Sequence, residues 1–461
     1  MKHIISLLFA LACTSAVYAQ KVTAEPETID ARWFKSHYSK AEYMVPMRDG
    51  TKLYTAVFTP KNKKWLHPIL LNPTQNGCAP YGKKSAAFWQ EQVFAEYLFA
   101  EYVFVFQDER GSGKSAGELN PATAATDLFD TADFLLRKVR KNNGNIGVWG
   151  IAEDCAYAMQ AAACNHPAIK AVSVQAPAGE DIAEGKVCKP VLFVGGSFDE
   201  VSGEHLWANY RAVKKTSPLV DCRLAVGAWT HGAWRSIDNN AEGEVADVAE
   251  DATPQFYSAE IEFPFFEHYL QGAESSGATA SGELIYFTGE DCWREMDGVC
   301  QEGADSLTLY LNEEGALYKE SPWQKSSYSL VETIDSNSEN TLLTFTSPVL
   351  DSDVTAVGGI EVVLYVKTKQ TASDFVINII DISDNDESEM LVRRASVVAC
   401  PTASDDVTMV RIKSADCAHT FLAGHRIKIE VGGATEKEKA SAETIILHDK
   451  SHSSFVLFPL Q

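Results

Sequence analysis

The sequence predicts a mostly parallel α/β sheet with helices on both faces, followed by an all-β sandwich, and three observations carry that prediction. Between Pro68 and Val226, short apolar runs alternate with amphipathic helical patterns, the texture of strand–helix units in a parallel sheet covered on both faces. After Gln271 the texture changes to short β-rich runs separated by Gly, Asn, Asp and Ser, which reads as two packed antiparallel sheets. Near the middle of the first part, at residues 147–155, an apolar strand meets a sharp turn and then a helix.

In chain order, residues 42–60 carry two alternating apolar runs around Arg48-Asp49-Gly50, and Asp-Gly between such runs predicts a hairpin. Residues 68–72 read as a short buried strand, 83–100 as a helix, 102–107 as a strand and 122–141 as an amphipathic helix. The alternation continues through a strand at 146–149, a helix at 157–164, strands at 169–174 and 191–194, a helix at 205–215 and a strand at 223–226. A last helix covers 257–271, and β-rich runs follow at 284–288, 307–311, 360–367, 375–382, 407–412, 426–431 and 454–457. The expected division is a leader at 1–19, the α/β domain at 20–282 and the β-sandwich at 283–461, with 274–282 as the linker.

Residues 1–19 read as a secretory signal: Lys2, an apolar stretch from Ile4 to Val17, and Val17-Tyr18-Ala19 before Gln20. That run is short for a bilayer, and no later stretch approaches the ~20 residues a span requires. A secreted or periplasmic protein without a membrane span is expected; a lipid-anchored form through Cys13, which follows Ala10-Leu11-Ala12, is the weaker reading. Of the ten cysteines, nine remain once the leader is removed, an odd number in an oxidising compartment. Cys188 with Cys222, Cys292 with Cys300 and Cys400 with Cys417 are the candidate pairs. A formal net charge of −23 disfavours nucleic acid and anionic membranes as partners. The histidines are scattered and H-E-x-x-H is absent, so neither a metal nor a cofactor is expected.

The stretch 147–155 reads Gly-Val-Trp-Gly-Ile-Ala-Glu-Asp-Cys. In the G-x-S-x-G pattern of an α/β-hydrolase, a strained strand-to-helix turn lifts a serine Oγ above the sheet. Gly150 is in place, but the serine position holds Ala152, and Glu153, Asp154 and Cys155 follow, so the second glycine is gone as well. The scaffold of a serine hydrolase is predicted without its reactive atom. The loop 108–117 contains Gly113-Lys114-Ser115, yet a phosphate-cradling Walker loop needs glycine where Asp108 stands. The loop is read instead as a tight glycine-rich exit from a strand.

Residues 45–53 (Val-Pro-Met-Arg-Asp-Gly-Thr-Lys-Leu), 107–117, 145–151, 229–232 (Trp-Thr-His-Gly), 264–272, 287–294 and 424–429 agree in order with one family. The chain resembles the cocaine esterase and X-prolyl dipeptidyl-peptidase (CocE/NonD) family of serine hydrolases. The resemblance implies an α/β-hydrolase domain followed by a C-terminal jelly roll, with a triad in the chain order Ser, Asp, His. Carried over, the nucleophile position is Ala152, the acid is Asp199 in Gly-Gly-Ser-Phe-Asp-Glu (195–200), and the base is His231. Read without the family, Asp199 would cap a helix starting near Gly203 and His231 would be a loop histidine. The family's oxyanion donors fall on the backbone N–H of Glu153 and on Gln75, where family members carry a tyrosine. The helical cap that members insert between nucleophile and acid is missing: 47 positions separate Ala152 from Asp199, already filled by a helix, two strands and their loops.

A methyl group cannot attack a carbonyl, and losing the serine of a working triad costs on the order of a millionfold in kcat. The expected function is therefore that of a secreted, catalytically inactive hydrolase homologue with a small-molecule, peptide or protein ligand. Two alternatives stand beside it. One is an active acyl hydrolase or dipeptidyl-peptidase whose nucleophile is displaced to Glu153, Asp154 or Cys155; the other is a glycan- or protein-binding module that uses the jelly roll.

Overall fold

The computed structural model describes residues 29–82, 93–179, 186–235, 252–278, 282–296, 298, 305–322, 330–332, 342–368, 373–383, 388–399, 404–433 and 444–461. The expected leader at 1–19 with Cys13, most of the helix expected at 83–100, Cys300 and Cys400 lie outside these residues.

Asp30 opens the fold by capping α1 (Ala31–His37), its carboxylate accepting from the N–H groups of Arg32 at 2.9 Å and Trp33 at 2.7 Å. The expected hairpin follows: β1 (Tyr38–Pro46) and β2 (Lys52–Pro60) pair antiparallel with Val45 opposite Leu53. Then come β3 (His67–Thr74), α2 (Ala95–Phe99), β4 (Val103–Asp108), α3 (Pro121–Lys138), β5 (Asn142–Ile151), α4 (Cys155–Ala163), β6 (Ile169–Gln175), β7 (Val191–Gly196), α5 (Gly203–Thr216) and β8 (Cys222–Gly227). A turn at Pro254–Phe256 and a π-helical turn at Tyr257–Glu262 lead into α6 (Phe263–Gln271), and β9 (Glu283–Phe287) and β10 (Cys292–Met296) close the sheet.

The strand order is β1-β2-β4-β3-β5-β6-β7-β8-β9-β10. Neighbours from β4 through β9 run parallel, and the pairs β1–β2, β2–β4 and β9–β10 run antiparallel. Every residue of β3, β4, β7 and β8 is buried, as strands covered on both faces must be. One face packs on α3, α4 and α5 through Leu128, Leu135, Ala158, Ala162, Leu206 and Tyr210. The other packs on α1, α2 and α6 through Trp33, Tyr97, Tyr102, Trp149, Phe265 and Phe266. In α3 the buried residues Ala124, Leu128, Ala132 and Leu135 recur every three or four positions, the stripe that lets a helix lie on a sheet.

The change of texture placed the second domain at 283, but the first sheet keeps two more strands. Leu224 of β8 pairs with Glu283 of β9 in parallel, and Leu284, Ile285 and Phe287 are buried in the cores of that sheet. Alternation and turn residues mark a strand without saying which sheet it joins, so the sandwich itself begins at β11 (Ser306–Leu311).

It continues with β12 (Leu317–Tyr318), β13 (Leu330–Glu332), β14 (Leu343–Thr346), β15 (Val354–Thr368), β16 (Ser373–Ile382), β17 (Glu389–Ala399), β18 (Ser404–Phe421), β19 (Arg426–Gly433), β20 (Thr444–Leu447) and β21 (Phe455–Pro459). One sheet has the order β12-β11-β21-β15-β20-β13 with β18 also on β15; the other has β14-β19-β16-β17. Their shared core includes Ile360, Val362 and Leu364 from one sheet and Ile377, Ile379 and Ile429 from the other, giving the two-layer all-β domain expected.

The two units are stitched together. The backbone of Thr288, just past β9, bonds Ala418 O and accepts from Thr420 N–H, at 3.2 and 3.0 Å. The Arg393 guanidinium on β17 donates to Ser197 O in the loop after β7 and, at 2.6 Å, to Asp416 O. The candidate disulfide between Cys188 and Cys222 is not formed: Cys188 is an exposed free thiol 3.6 Å from Asn165 Oδ1, whereas Cys222 is buried at the start of β8. Among the described residues no helix is long and apolar enough to cross a membrane.

Candidate active site

The turn that ends β5 has the elbow geometry its sequence suggests. Ala152 stands at φ 52°, in the left-handed region, a backbone that costs a residue with a Cβ roughly 1–2 kcal/mol. Gly150 has no room for a side chain: a Cβ there would lie 2.4 Å from Asp154 O and 3.2 Å from the Ala158 methyl. Residues Ala152–Asp154 make one tight turn and Cys155 begins α4. The apex therefore carries a methyl group on a backbone shaped for display.

The three residues after the apex point to different places. Glu153 is exposed. The Asp154 carboxylate is buried and accepts the Gln75 N–H at 2.9 Å; burial pushes its pKa up to about 6, partly opposed by that hydrogen bond. Cys155 is fully buried, its thiol 2.9 Å from Gln175 O and 3.5 Å from Gly150 O. Burial pushes that thiol well above its ordinary value, which disfavours the nucleophilic thiolate. The Asp154 carboxyl is engaged by Gln75 N–H and the Thr74 side chain, and the Cys155 thiol by the Gly150 and Gln175 carbonyls.

Asp199 follows β7 and His231 follows β8, two adjacent parallel strands, so the sheet brings together residues 32 positions apart. His231 Nδ1 lies 2.9 Å from Asp199 Oδ2. A carboxylate only accepts, so Nδ1 carries the hydrogen, and in the neutral ring Nε2 presents a lone pair. Asp199 is buried; its Oδ1 accepts from the N–H groups of Val201 and Ser202, each at 3.0 Å, and its Oδ2 from the Ser202 hydroxyl. It thus closes the turn before α5, but the N-cap of that helix is Ser202, so Asp199 is not the helix cap its reading without the family expected. The His231 side chain is 38% exposed, and a Cβ on the adjacent Gly232 would touch Ile151 at 3.6 Å, so the histidine loop lies against the elbow.

Gln75, at the end of β3, meets the elbow from its other side. Its side-chain amide donates to Glu153 O at 3.1 Å, which joins the two positions carried over as oxyanion donors. Behind them lies a polar network that sequence reasoning missed. Glu262, aimed inward by the π-helical turn, accepts from Gln175 Nε2 at 2.6 Å and lies 3.6 Å from Arg235. The Arg235 guanidinium stacks 3.9 Å from the ring centre of Trp149, and Gln175 accepts from Trp234 Nε1 at 3.1 Å. Together these fix the turn just after His231. Among the described residues, no three His, Cys, Asp or Glu side chains converge to hold a metal ion.

Two models of one family match the chain in order: the X-Pro dipeptidyl-peptidase (S15 family) model over residues 49–185, and the X-Pro dipeptidyl-peptidase C-terminal non-catalytic domain model over residues 271–442. The chain belongs to this X-Pro dipeptidyl-peptidase family. A cocaine esterase from Rhodococcus sp. (strain MB1 Bresler) is 22% identical across 86% of this chain and 91% of its own. Similar solved folds include an aminopeptidase from a marine-sediment Thaumarchaeota archaeon, with TM-score 0.78 and 19% identity over 94% of this chain and 98% of that one. An α-amino acid ester hydrolase gives TM-score 0.76 and 19% identity over 95% and 99%. A CocE/NonD family hydrolase from Staphylococcus aureus gives 0.68 and 15% over 92% and 93%.

Within this S15-family chain, the described residues between elbow and acid hold only α4, β6, β7 and their connections. A cleft of about 900 Å³ opens beside the Asp199–His231 pair, walled on its far side by β17 of the sandwich. Nothing in the sequence near Asp199 announces β17, because the contact joins residues nearly two hundred positions apart.

Proposed function

We propose that this chain is an S15-family homologue that has lost hydrolysis and kept the ligand-binding face around its acid–base pair. The observation that carries the reading is the apex of the elbow, where Ala152 at φ 52° presents a methyl group in place of a hydroxyl. His231 then has a lone pair and no serine to deprotonate. In this reading Ala152 is the former nucleophile position, Asp199 the acid and His231 the base. The backbone N–H of Glu153 and the side chain of Gln75 are the former oxyanion positions. Two contacts support it further: the Gln75 amide is engaged by Glu153 O, and a carboxylate at 153 opposes a developing oxyanion. Of the residues in the displaced-nucleophile reading, Cys155 is held in the interior by backbone carbonyls and Asp154 by Gln75, which leaves the exposed Glu153 as that reading's remaining candidate. In this reading the chain acts outside the cytoplasm, secreted or periplasmic, the leader expected at 1–19 being the motive. By analogy with its relatives, its small-molecule or peptide ligands would carry acyl-ester or amide groups.

The test is turnover of p-nitrophenyl acetate and of X-Pro amides by the purified chain. Wild type and His231→Ala are expected to be indistinguishable, with no labelling by a fluorophosphonate. Combining Ala152→Ser with Glu153→Tyr and Cys155→Gly is expected to restore measurable esterase turnover that depends on His231. Turnover by the wild type that disappears in His231→Ala would overturn the reading.

A further inference from the structure

The first sheet has two ends, and the Asp199–His231 pair stands at only one of them, past the last residues of β7 and β8. At the other end, where β3, β4 and β5 begin, three segments meet. They are the β2–β3 loop at residues 61–66 (Lys-Asn-Lys-Lys-Trp-Leu), the end of α2 with Glu101, and residues 137–141 (Arg-Lys-Val-Arg-Lys), which lead from α3 into β5. Hydrogen bonds hold them together. The His67 N–H donates to Lys141 O at 2.7 Å, and the Asn62 side chain donates to the Glu101 carboxylate at 2.7 and 3.0 Å. Helix α1 borders them, its His37 O accepting the Lys61 N–H at 2.7 Å and its Trp33 ring lying 5.8 Å from Phe99.

The net charge of −23, which taken whole disfavours an anionic membrane, is spread unevenly: residues 61–66 and 137–141 hold seven cations and no acid. All seven are exposed. Among the described residues Arg137 alone of them pairs with a carboxylate, Asp133 at 3.8 Å, and its side chain stays 68% exposed. Of the acids bordering the segments, Glu101 is engaged by Asn62, and Asp30 is engaged by the first N–H groups of α1. Apolar surface lies among these cations, with Trp65, Leu66 and Phe99 keeping 65%, 56% and 42% exposure. The loop that carries Trp65 and Leu66 is braced, since Asn62 Oδ1 accepts the Lys64 N–H at 2.9 Å and Asn62 O lies 3.0 Å from the His67 ring nitrogen.

We propose that this end of the first sheet docks on an anionic phospholipid bilayer, with Trp65, Leu66 and Phe99 at the boundary of headgroups and acyl chains and the cations of 61–66 and 137–141 against the lipid phosphates. Charge alone would suit any polyanion. The exposed aromatic and aliphatic side chains select a surface that has an apolar layer beneath its anions, and tryptophan flanked by lysine and arginine suits that boundary. The acidic remainder of the chain does not prevent approach, because charges farther from the bilayer than about 8–10 Å are largely screened at physiological salt. Residues before Ile29 join the fold at α1, on this same end, so a lipid on Cys13 would draw this end, and not the acid–base pair, towards a membrane. The inference goes beyond the loss of hydrolysis and does not depend on it.

The experiment is co-sedimentation of the full chain with vesicles of phosphatidylcholine alone and of phosphatidylcholine containing about 30% phosphatidylglycerol. Binding to the anionic vesicles is expected, falling as salt rises from ~0.1 to ~0.5 M. Lys63→Glu with Lys64→Glu is expected to weaken it at least roughly tenfold, and Trp65→Ser with Leu66→Ser as much. Brominated lipid should quench the tryptophan fluorescence of the bound wild type, which reads the same contact without a variant. No binding, equal binding to the neutral vesicles, or an affinity unchanged in both double variants, as when the leader alone inserts, would overturn the proposal. Binding that the lysine variant loses and the Trp65/Leu66 variant keeps would make the surface a general polyanion site and would overturn the bilayer as its occupant.

Discussion

Asp154 carries a carboxyl group into the interior two positions after the elbow's apex, and its titration should be visible in stability. Its folded pKa of about 6 lies above the ordinary 3.8, so between those values the folded chain holds a proton that the unfolded chain has released. That contribution is fully present below about pH 4 and is lost as the pH rises through 6. Asp154→Asn is therefore expected to match the wild type in urea denaturation at pH 4 and to exceed it by on the order of 2–3 kcal/mol at pH 8. A constant difference across that range would refute the assignment. At this scale the sequence was informative about residue types in order: glycine, an alanine apex, an acid and a base stand where the fold needs them. It could not say that Asp154 would be buried and Glu153 exposed. That outcome depends on the Gln75 N–H, 79 positions away, and no local pattern encodes such a contact.

Between β4 and α3, the glycine-rich loop that resembles a phosphate cradle is held by side chains. Arg110 donates to Asp127 at 2.5 and 2.6 Å, to Asp49 at 2.7 Å and to Thr51 at 3.0 Å, tying α3 to the β1–β2 turn. Asp108 accepts from Lys114 N–H at 2.7 Å and from the Tyr81 hydroxyl at 3.0 Å, so the loop curls around a carboxylate and a phosphate would meet like charge. Arg110→Ala leaves the buried Asp127 carboxylate alone and is expected to cost about 3–5 kcal/mol, whereas Arg110→Met with Asp127→Leu should lie near wild type. Chemical denaturation of the single and double variants checks both. Most elements were legible because their period is set by burial on one or two faces, as in the stripe of α3. The strands β10, β12, β13, β14 and β20 were not, being five residues or fewer with little room for a pattern, and neither was the eleven-residue β17, whose alternation is interrupted by Arg393-Arg394.

At the scale of the whole chain, the two units meet through polar groups that neither could satisfy alone. The Arg393 guanidinium reaches Ser197 O, Val392 O and Asp416 O, and Arg211 pairs with Asp416. Arg393→Met strips the donor from three carbonyls and is expected to destabilise by about 3 kcal/mol, with a single calorimetric transition splitting into two. One unsplit transition at the wild-type midpoint would contradict that role. The error in the domain boundary belongs to this scale too: β9 has the composition of the sandwich strands, but its partner is β8, and sheet membership is a property of topology. Thr288 leaves that strand and immediately pairs with the Ala418–Thr420 segment of β18. On a ribosome, residues 38–296 would thus emerge and complete their sheet before the segment around residue 419 has been synthesised, and domains generally fold as units in that order. The finished sheet would then act as a template that sets where the later strands seat, so a nascent chain stalled before residue 419 should already be compact and protease-resistant up to β10.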